Sequence, residues 1–535
     1  MKNIFKIGAA ALCCSSMLLT GCIEETFPTN AATDEQVSAS SKALEALLWA
    51  MPAFLNNFAT VSSDYAYDWG YGSMMHIRDV LGEDMSIVES SYDWYQSWAY
   101  NTTNNEDYAR AQFIWNYYWK FVQTTNNVVK AIDPETASET NLGYLGIGHA
   151  YRAFAYLDMA RMFEFLPNDA VSGINAAGNK VDSLTVPIVT HLTTETEAGD
   201  NPRVDRNEMF EFILSDLDIA QANIAKAKRL SKTMPDLAVV YGLKARLYMW
   251  VENYDSARVY ARKAIDLGGY RPTTEAEWLN TTSGFNDLAT ASWMWGAQQM
   301  KEDDVVQTGI LNWTSWMSNE TTYGYAAAGP MAMVGVDFYN KISNNDFRKL
   351  SWKAPAGHVL DGKNTYIDDE LGATLPEYVS LKFRPASGNA TDYNVGSASA
   401  YPLMRIEEMY FIEAECAAHA DAAEGKALLE SFMKSYRAPK YTCMATDQAA
   451  VIDEIFFQKR VEFWGEGLNF FDYKRLDKPV TRAYDGSNFA TVAQFNTTTR
   501  PAWMNFCIVR TEKMSNKALM DYENPSTVGC YDDNE

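Results

Sequence analysis

Residues 236–269 read DLAVVYGLKARLYMWVENYDSARVYARKAIDLGG and predict two helices joined by a short turn. The first helix has apolar side chains on two adjacent faces, which is typical of a helix packed between two others. In the second helix, Ala257, Ala261 and Ala264 share a face, and a glycine pair follows that favours a left-handed helix stop. The spacing fits a tetratricopeptide repeat of about 34 residues, although Lys244 stands where that repeat usually has leucine. An ordinary helical hairpin is the alternative.

Apolar periodicity predicts further helices on both sides of this hairpin. They cover residues 42–58 (with a break or kink at Pro52), 107–132, 144–165, 207–229, 405–418 and 450–460. Residues 62–103 and the residues after 475 lack a sustained helical period and predict loops. The predicted fold is mainly α, with a tetratricopeptide-like scaffold over about 107–269 and 401–475. A loop-rich lobe over about 270–400 would contain short strands such as Tyr378 to Phe383.

The first residues of the chain predict export. Lys2 and Lys6 precede an apolar run that is too short for a stable membrane span and ends in Leu-Thr-Gly-Cys at Cys22. These four residues resemble a bacterial lipobox, which implies cleavage before Cys22 and acylation of its sulfur. We therefore expect a signal peptide over 1–21, a lipidated tether over 22–41 and a single body over 42–535. A plain signal peptide with an accidental cysteine is the alternative.

Charge and cysteine usage narrow the classes of partner. The chain has 69 acidic and 45 basic residues and a net charge of −24, which argues against nucleic acid or anionic lipid as a partner. Cys416, Cys443, Cys507 and Cys530 are widely spaced and form no CxxC motif, so neither a zinc site nor a redox pair is predicted. Whether these four cysteines pair is left open.

Motifs of catalysis are missing from the sequence. It contains no GxSxG, P-loop, HExxH or GxGxxG, and its five histidines are scattered, so we predict no metal and no cofactor. Glu462 and Glu466 lie one helical turn apart and are a candidate carboxylate pair for glycoside hydrolysis. Such pairs are also common on helix surfaces. We expect a protein without enzymatic activity.

Residues 455–475, IFFQKRVEFWGEGLNFFDYKR, resemble the SusD/RagB family of Bacteroidetes outer-membrane lipoproteins. The matching residues are Arg460, Glu462, Glu466, Gly467, Phe471, Asp472 and Arg475. A second stretch, YPLMRIEEMYFIEAEC over 401–416, resembles the same family through Pro402, Leu403, Arg405 and Glu408. The sequence departs from the family at Gln458 and Asn469, and Cys507 and Val509 replace two prolines near the C-terminus.

The resemblance implies a function. It implies a lipid-anchored outer-membrane protein, facing the cell exterior, that captures an oligo- or polysaccharide and delivers it to a SusC-like TonB-dependent barrel. Glu24 and Glu25 after Cys22 are similar to the surface-export signal of such lipoproteins. The alternatives are a peptide-capturing RagB-like protein, an extracellular glycoside hydrolase and a structural surface protein.

Two aromatic segments are the predicted ligand site. Sugar rings stack on aromatic rings, and their hydroxyls need amide or guanidinium partners. Trp98, Asn101 and Arg78 resemble the Trp, Asn and Arg of a starch-binding family member, and Trp94 is an equal candidate for the platform. The opposing wall is predicted from Trp313, Trp316, Tyr323 and Tyr325. The alternative is that most of these rings belong to the core.

Overall fold

The computed structural model describes residues 41–60 and 65–532. The predicted signal peptide and the lipidated Cys22 lie outside these residues. Among the described helices, none has both the length and the apolar character needed to cross a membrane.

Within the described residues, eleven helices of seven or more residues form the bulk of the fold. They are α1 (Ser41–Phe54), α2 (Tyr71–Val80), α3 (Ala109–Lys130), α4 (Glu139–Phe163), α5 (Arg206–Asn223), α6 (Leu237–Trp250), α7 (Tyr254–Asp266), α8 (Ile406–Ala420), α9 (Ala422–Tyr436), α10 (Gln448–Glu462) and α11 (Asn469–Arg475). Shorter α-helices are Gln96–Ala99, Glu195–Ala198, Glu275–Trp278, Asp304–Gln307, Trp313–Met317, Gly324–Ala328, Val336–Lys341, Asp369–Thr374, Tyr393–Gly396 and Arg510–Ser515. The 3₁₀ turns are Ile224–Lys226, Phe347–Ser351, Ala386–Gly388, Thr491–Ala493, Ala502–Met504 and Lys517–Leu519.

Helices α3 to α9 form the predicted tetratricopeptide-like scaffold, because each packs against the next in chain order. In the α6–α7 hairpin, Asp236 accepts the Val239 N–H at 3.0 Å and Asn253 accepts the Ser256 N–H at 3.1 Å, so each helix begins at a capping side chain. Lys244 is completely buried, and its ammonium group reaches Asp218 and Gln221 on α5. This explains how a lysine occupies a position where the repeat usually has leucine.

The hairpin ends as the sequence predicts. Gly268 and Gly269 have φ angles of 76° and 87°, in the left-handed region. The three alanines of α7 are fully buried, and α7 packs against both α6 and α8. The close approach of these helices follows from the small side chains on the shared face.

Two small antiparallel sheets connect the loop-rich lobe with other parts of the chain. Strand β1 (Met85–Ile87) pairs with β3 (Ala332–Val334), and β2 (Trp293–Gln298) pairs with β4 (Ala400–Arg405). Strand β4 leads directly into α8, so the lobe is joined to the scaffold without a linker. The predicted strand at Tyr378 to Phe383 is not part of either sheet; its residues form only isolated bridges to Met333 and Trp352.

Two predictions of secondary structure were wrong. Residues 62–103 contain α2, which was predicted as loop because all ten of its residues are buried and it has no polar face to mark a helical period. Helix α9 was missed although Leu429, Phe432 and Met433 have helical spacing and Asp421 caps its start. Helix α5 is capped by Asp205 and begins at Arg206, one residue before the predicted start at residue 207.

Candidate functional site

The two aromatic segments predicted to face each other lie side by side, and we call residues 88–100 together with 313–331 the aromatic junction. The Val88 N–H donates to the Met331 carbonyl at 2.9 Å, next to the β1–β3 pair. Trp316 stacks on Tyr325 with ring centroids 4.2 Å apart and meets the edge of Tyr95 at 4.8 Å. The fold therefore brings these two distant parts of the sequence together.

Trp94 and Tyr325 are the partly exposed aromatic residues of this junction that contact each other. Burial raises the pKa of the Tyr325 hydroxyl, while a hydrogen bond from the Trp94 side chain lowers it. Arg110 donates to the Trp94 carbonyl at 3.2 Å, and this hydrogen bond holds the loop in place. Tyr92 on the same loop is 56% exposed. This part of the junction offers aromatic surface to solvent.

The other predicted tryptophans support the junction from inside. Trp98 is 4% exposed, and Trp313 and Trp316 are each 1% exposed. Trp98 packs edge-on against Tyr67 at 5.1 Å, and Trp313 stacks on Tyr401 at 4.9 Å. The expectation that these three rings form exposed platforms is wrong for this structure, because their faces are covered by other core residues.

Arg78 is also a core residue. It is completely enclosed, and its guanidinium donates to Asp158 at 2.9 Å and to the hydroxyls of Tyr71 and Tyr118. These partners lie on α2, α3 and α4, so the arginine joins three helices. Its two terminal nitrogens are occupied by partners inside the protein.

Asn101 and Tyr323 are held by backbone carbonyls. Asn101 has a left-handed φ of 52° and donates to the Thr527 carbonyl at 2.6 Å. The Tyr323 hydroxyl donates to the Asn389 carbonyl at 3.2 Å, which fixes it against the loop before β4. Tyr323 is only partly buried, so its predicted contact with a ligand stays a prediction.

Two titratable groups behind the junction were missed in the sequence. The Asp93 carboxylate accepts the Tyr95 N–H at 2.9 Å and holds the aromatic loop, while burial raises its pKa to about 6. His76 packs against Tyr95 at 4.3 Å, and burial lowers its pKa to about 3, so it is neutral at physiological pH. An aspartate three residues before a short helix is a recognisable turn signal, but the burial of His76 has no signal in the sequence.

The Glu462 and Glu466 pair lies in an ionic cluster. Glu462 is completely buried between Arg348, Arg405 and Arg437, at 2.9, 3.0 and 2.8 Å. Burial opposes ionisation, but these arginines hold the pKa of Glu462 well below its usual range. A general acid of a glycosidase needs a raised pKa and contact with the substrate. The pKa of Glu462 is lowered instead, and its ion pairs with Arg348 and Arg405 tie α10 to the lobe.

Metal ligands and thiols are dispersed in the described residues. In that part of the chain, no group of three or more His, Cys, Asp or Glu side chains is arranged to hold a metal ion. The four described cysteines are free thiols, and three of them are buried.

The chain is similar to known proteins in sequence and in fold. Residues 290–525 match the sequence model of the SusD family. No curated protein sequence matches the chain. A SusD-like carbohydrate binding protein from Bacteroides vulgatus is 22% identical with a TM-score of 0.70, over 90% of this chain and 98% of that one. A SusD superfamily protein from Bacteroides thetaiotaomicron is 18% identical with a TM-score of 0.66, over 89% and 98%.

A third similar structure is surface glycan-binding protein A from Bacteroides fluxus. It is 16% identical with a TM-score of 0.63, and the likeness covers 91% of this chain and 99% of that one. At these identities the likeness shows a shared fold.

Proposed function

We propose, from the match of residues 290–525 to the sequence model of the SusD family, that this chain is a cell-surface glycan-binding lipoprotein of that family. It would capture an oligo- or polysaccharide and pass it to a SusC-like TonB-dependent barrel. The shared fold with proteins described as carbohydrate binding and surface glycan-binding supports the ligand class. The lipid anchor at Cys22, the outer-membrane location and the barrel partner rest on the sequence resemblance.

The observation that carries the proposal is the partly exposed aromatic pair of Trp94 and Tyr325. The Tyr325 ring stacks on the buried Trp316, which in turn meets the edge of Tyr95, so packing holds this ring in place before a ligand arrives. Rigid rings lose little conformational entropy on binding, and they match the C–H faces of sugar rings. Tyr323 and Tyr92 are the further aromatic candidates for contact.

A direct binding screen tests the ligand class. The full chain, purified in a neutral detergent, is exposed to arrays of neutral glycans, acidic glycans and peptides. We expect glycan binding that Trp94→Ala weakens at least tenfold, about 1.4 kcal/mol. Binding of peptides alone would favour a RagB-like peptide-capturing protein. Cleavage of a bound glycan by the purified chain would favour a hydrolase.

Delivery requires a partner. A tagged chain extracted under mild detergent conditions is expected to copurify with a much larger β-barrel protein. Recovery of the tagged chain alone, under conditions that preserve known membrane complexes, would contradict the transport part of the proposal.

A further inference from the structure

A second candidate site is a partly open cavity of about 50 Å³ between α4, α5, α6, α8, α10 and α11. Its wall is unusually basic for a chain with a net charge of −24. The wall contains the six basic side chains Arg161, Arg206, Arg246, Lys459, Lys474 and Arg475. Only three acidic side chains, Glu164, Glu408 and Asp472, line the same cavity. It shares no residue with the aromatic junction.

Four of the basic residues have enough carboxylate partners. Arg246 pairs with Glu408 at 2.6 Å, and Arg206 pairs with Glu164 at 2.5 Å. Lys459 and Arg475 share two carboxylates, those of Glu415 and Asp472. Their charges are therefore balanced within the protein.

The other two lack a carboxylate of their own. Arg161 lies 2.7 Å from Asp158, but Asp158 also pairs with the buried Arg78 at 2.9 Å. The Lys474 ammonium donates to the carbonyls of Arg161, Met162 and Glu164, at 2.9, 3.0 and 2.6 Å. Among the described residues, no carboxylate lies within 4.0 Å of it. Burial lowers the pKa of both Lys474 and Arg161, as expected for under-compensated cations.

The wall also has an unused hydrogen-bond donor. The Arg475 side chain is 7% exposed, and its Nη1 is buried and makes no hydrogen bond of ordinary geometry in the described part of the chain, although the Tyr254 hydroxyl lies close to the guanidinium. The Nη2 atom already donates to Glu415 and Asp472. A buried guanidinium nitrogen without an acceptor costs free energy, which an acceptor inside the cavity would recover.

We propose that this cavity binds one small oxyanion, a carboxylate or a tetrahedral phosphate or sulfate. An oxyanion would supply the missing negative charge and an acceptor for Arg475, and arginine is well suited to carboxylate and phosphate geometry. The cavity holds roughly three to five water-sized groups, since one water needs about 10–15 Å³ by this measure; an anion of four or five heavy atoms fits. Arg206 is 25% exposed at the wall and provides a route from solvent.

We expect the packing of α11 against the helical scaffold to depend on the bound anion. The wall joins Arg246 on α6 and Glu408 on α8 to Lys474 and Arg475 on α11, so a bound anion stabilises the attachment of α11 to the helical scaffold. This role is independent of the glycan-binding proposal, and either can fail without the other.

Thermal unfolding of the full chain in neutral detergent tests the site. Sodium phosphate, sulfate and acetate are titrated separately at constant ionic strength kept with sodium chloride, and calorimetric titration gives the affinity. We expect a saturable rise in Tm with at least one of the three anions. Lys474→Met and Arg206→Gln should each weaken the apparent affinity at least tenfold. Arg258→Gln is the control, because Arg258 pairs with Glu424 at the surface, and it should leave the affinity unchanged.

Two results would contradict the anion site or require a second variant to decide. A rise in Tm that grows linearly with salt, or that persists at full size in Arg206→Gln, would be a general salt effect and would overturn the site. If Lys474→Met does not fold, the partly exposed Arg206→Gln decides, since Glu164 then keeps its hydrogen bond from the Trp250 indole at 2.9 Å.

Discussion

At the scale of single residues, Trp94 and Trp98 lie one helical turn apart but have different surroundings. Trp98 is 4% exposed and is covered by Tyr67 and Tyr95, whereas Trp94 is partly exposed beside Tyr325. The sequence suggested both as platforms, because residue type and spacing are visible in a sequence and burial is not. Trp94 is therefore the better candidate for ligand contact, and Trp98 supports it.

This difference gives a two-sided prediction. Trp94→Ala should weaken glycan binding at least tenfold with a smaller change in Tm than Trp98→Ala, because the partly exposed ring leaves a gap that is open to solvent. Trp98→Ala should lower the free energy of unfolding by about 3–5 kcal/mol, the usual cost of truncating a buried tryptophan. Titration calorimetry and thermal unfolding measure the two effects. A large loss of stability in Trp94→Ala with unchanged affinity would reverse the assignment.

Asp93 gives a prediction for pH. Its pKa is about 6 in the folded protein, against 3.8 for an ordinary aspartate, so the folded state binds more protons between these values. Stability from this group is therefore fully present below pH 3.8 and is lost as pH rises through 6. Asp93→Asn removes the titration and keeps an acceptor for the Tyr95 N–H.

Comparing the wild type with Asp93→Asn isolates the contribution of the Asp93 carboxyl group to stability. Below about pH 4 they should be about equally stable, and above about pH 6 the variant should gain relative to wild type, by about 3 kcal/mol at most. Urea unfolding at several pH values between about 4 and 7 measures the difference. A difference that does not change with pH would mean that Asp93 is not buried as described.

At the scale of elements, α2 shows where sequence analysis fails. Helices such as α7 were predictable because a polar face alternates with an apolar one, but α2 is enclosed on all sides. Its position depends on contacts from distant parts of the chain. The Gly467 N–H, in the turn between α10 and α11, donates to both oxygens of Asp79 on α2, at 3.1 and 3.0 Å.

A substitution at Gly467 tests the contact between this turn and α2. Its φ is 65°, and a Cβ atom there would lie 2.6 Å from the Met75 Cα on α2. Gly467→Ala should therefore lower the free energy of unfolding by about 2–5 kcal/mol, from left-handed strain and overpacking together. Gly486 has a similar φ of 79°, but a methyl group added there would meet nothing within 4 Å. Gly486→Ala should cost only the strain, about 1–2 kcal/mol.

Urea denaturation with a common slope compares the two glycine variants. Equal losses in both would mean that strain alone acts at Gly467 and that α2 is not packed against this turn.

At the scale of the whole molecule, the helical scaffold could be predicted and most of the lobe could not. Helices α3 to α8 follow from periodic faces and capping side chains, and the family resemblance gave the order of scaffold and lobe. Strands β1 and β3 pair across a sequence separation that no local pattern specifies. The meeting of the aromatic segments was expected from family layout, but the orientation of each ring depends on packing between them.

The last prediction concerns how the molecule is held at a membrane. No described helix could span one, and we expect attachment through a lipid on Cys22, which lies outside the described residues. Cys22→Ala removes the acylated sulfur, so the variant should move from the membrane to the soluble fraction. Cys530→Ala, at a partly exposed free thiol, is the matched control and should remain bound.

Retention in the membrane fraction alone does not identify the anchor, because a barrel partner would also hold the protein there. Phase partition in a detergent that separates on warming distinguishes a lipid anchor from a barrel partner. The wild type and the control should enter the detergent phase, and Cys22→Ala should stay in the aqueous phase. The reason is that acyl chains contribute about 0.8 kcal/mol per buried methylene group. Partition of Cys22→Ala into the detergent phase would show that another part of the chain anchors it.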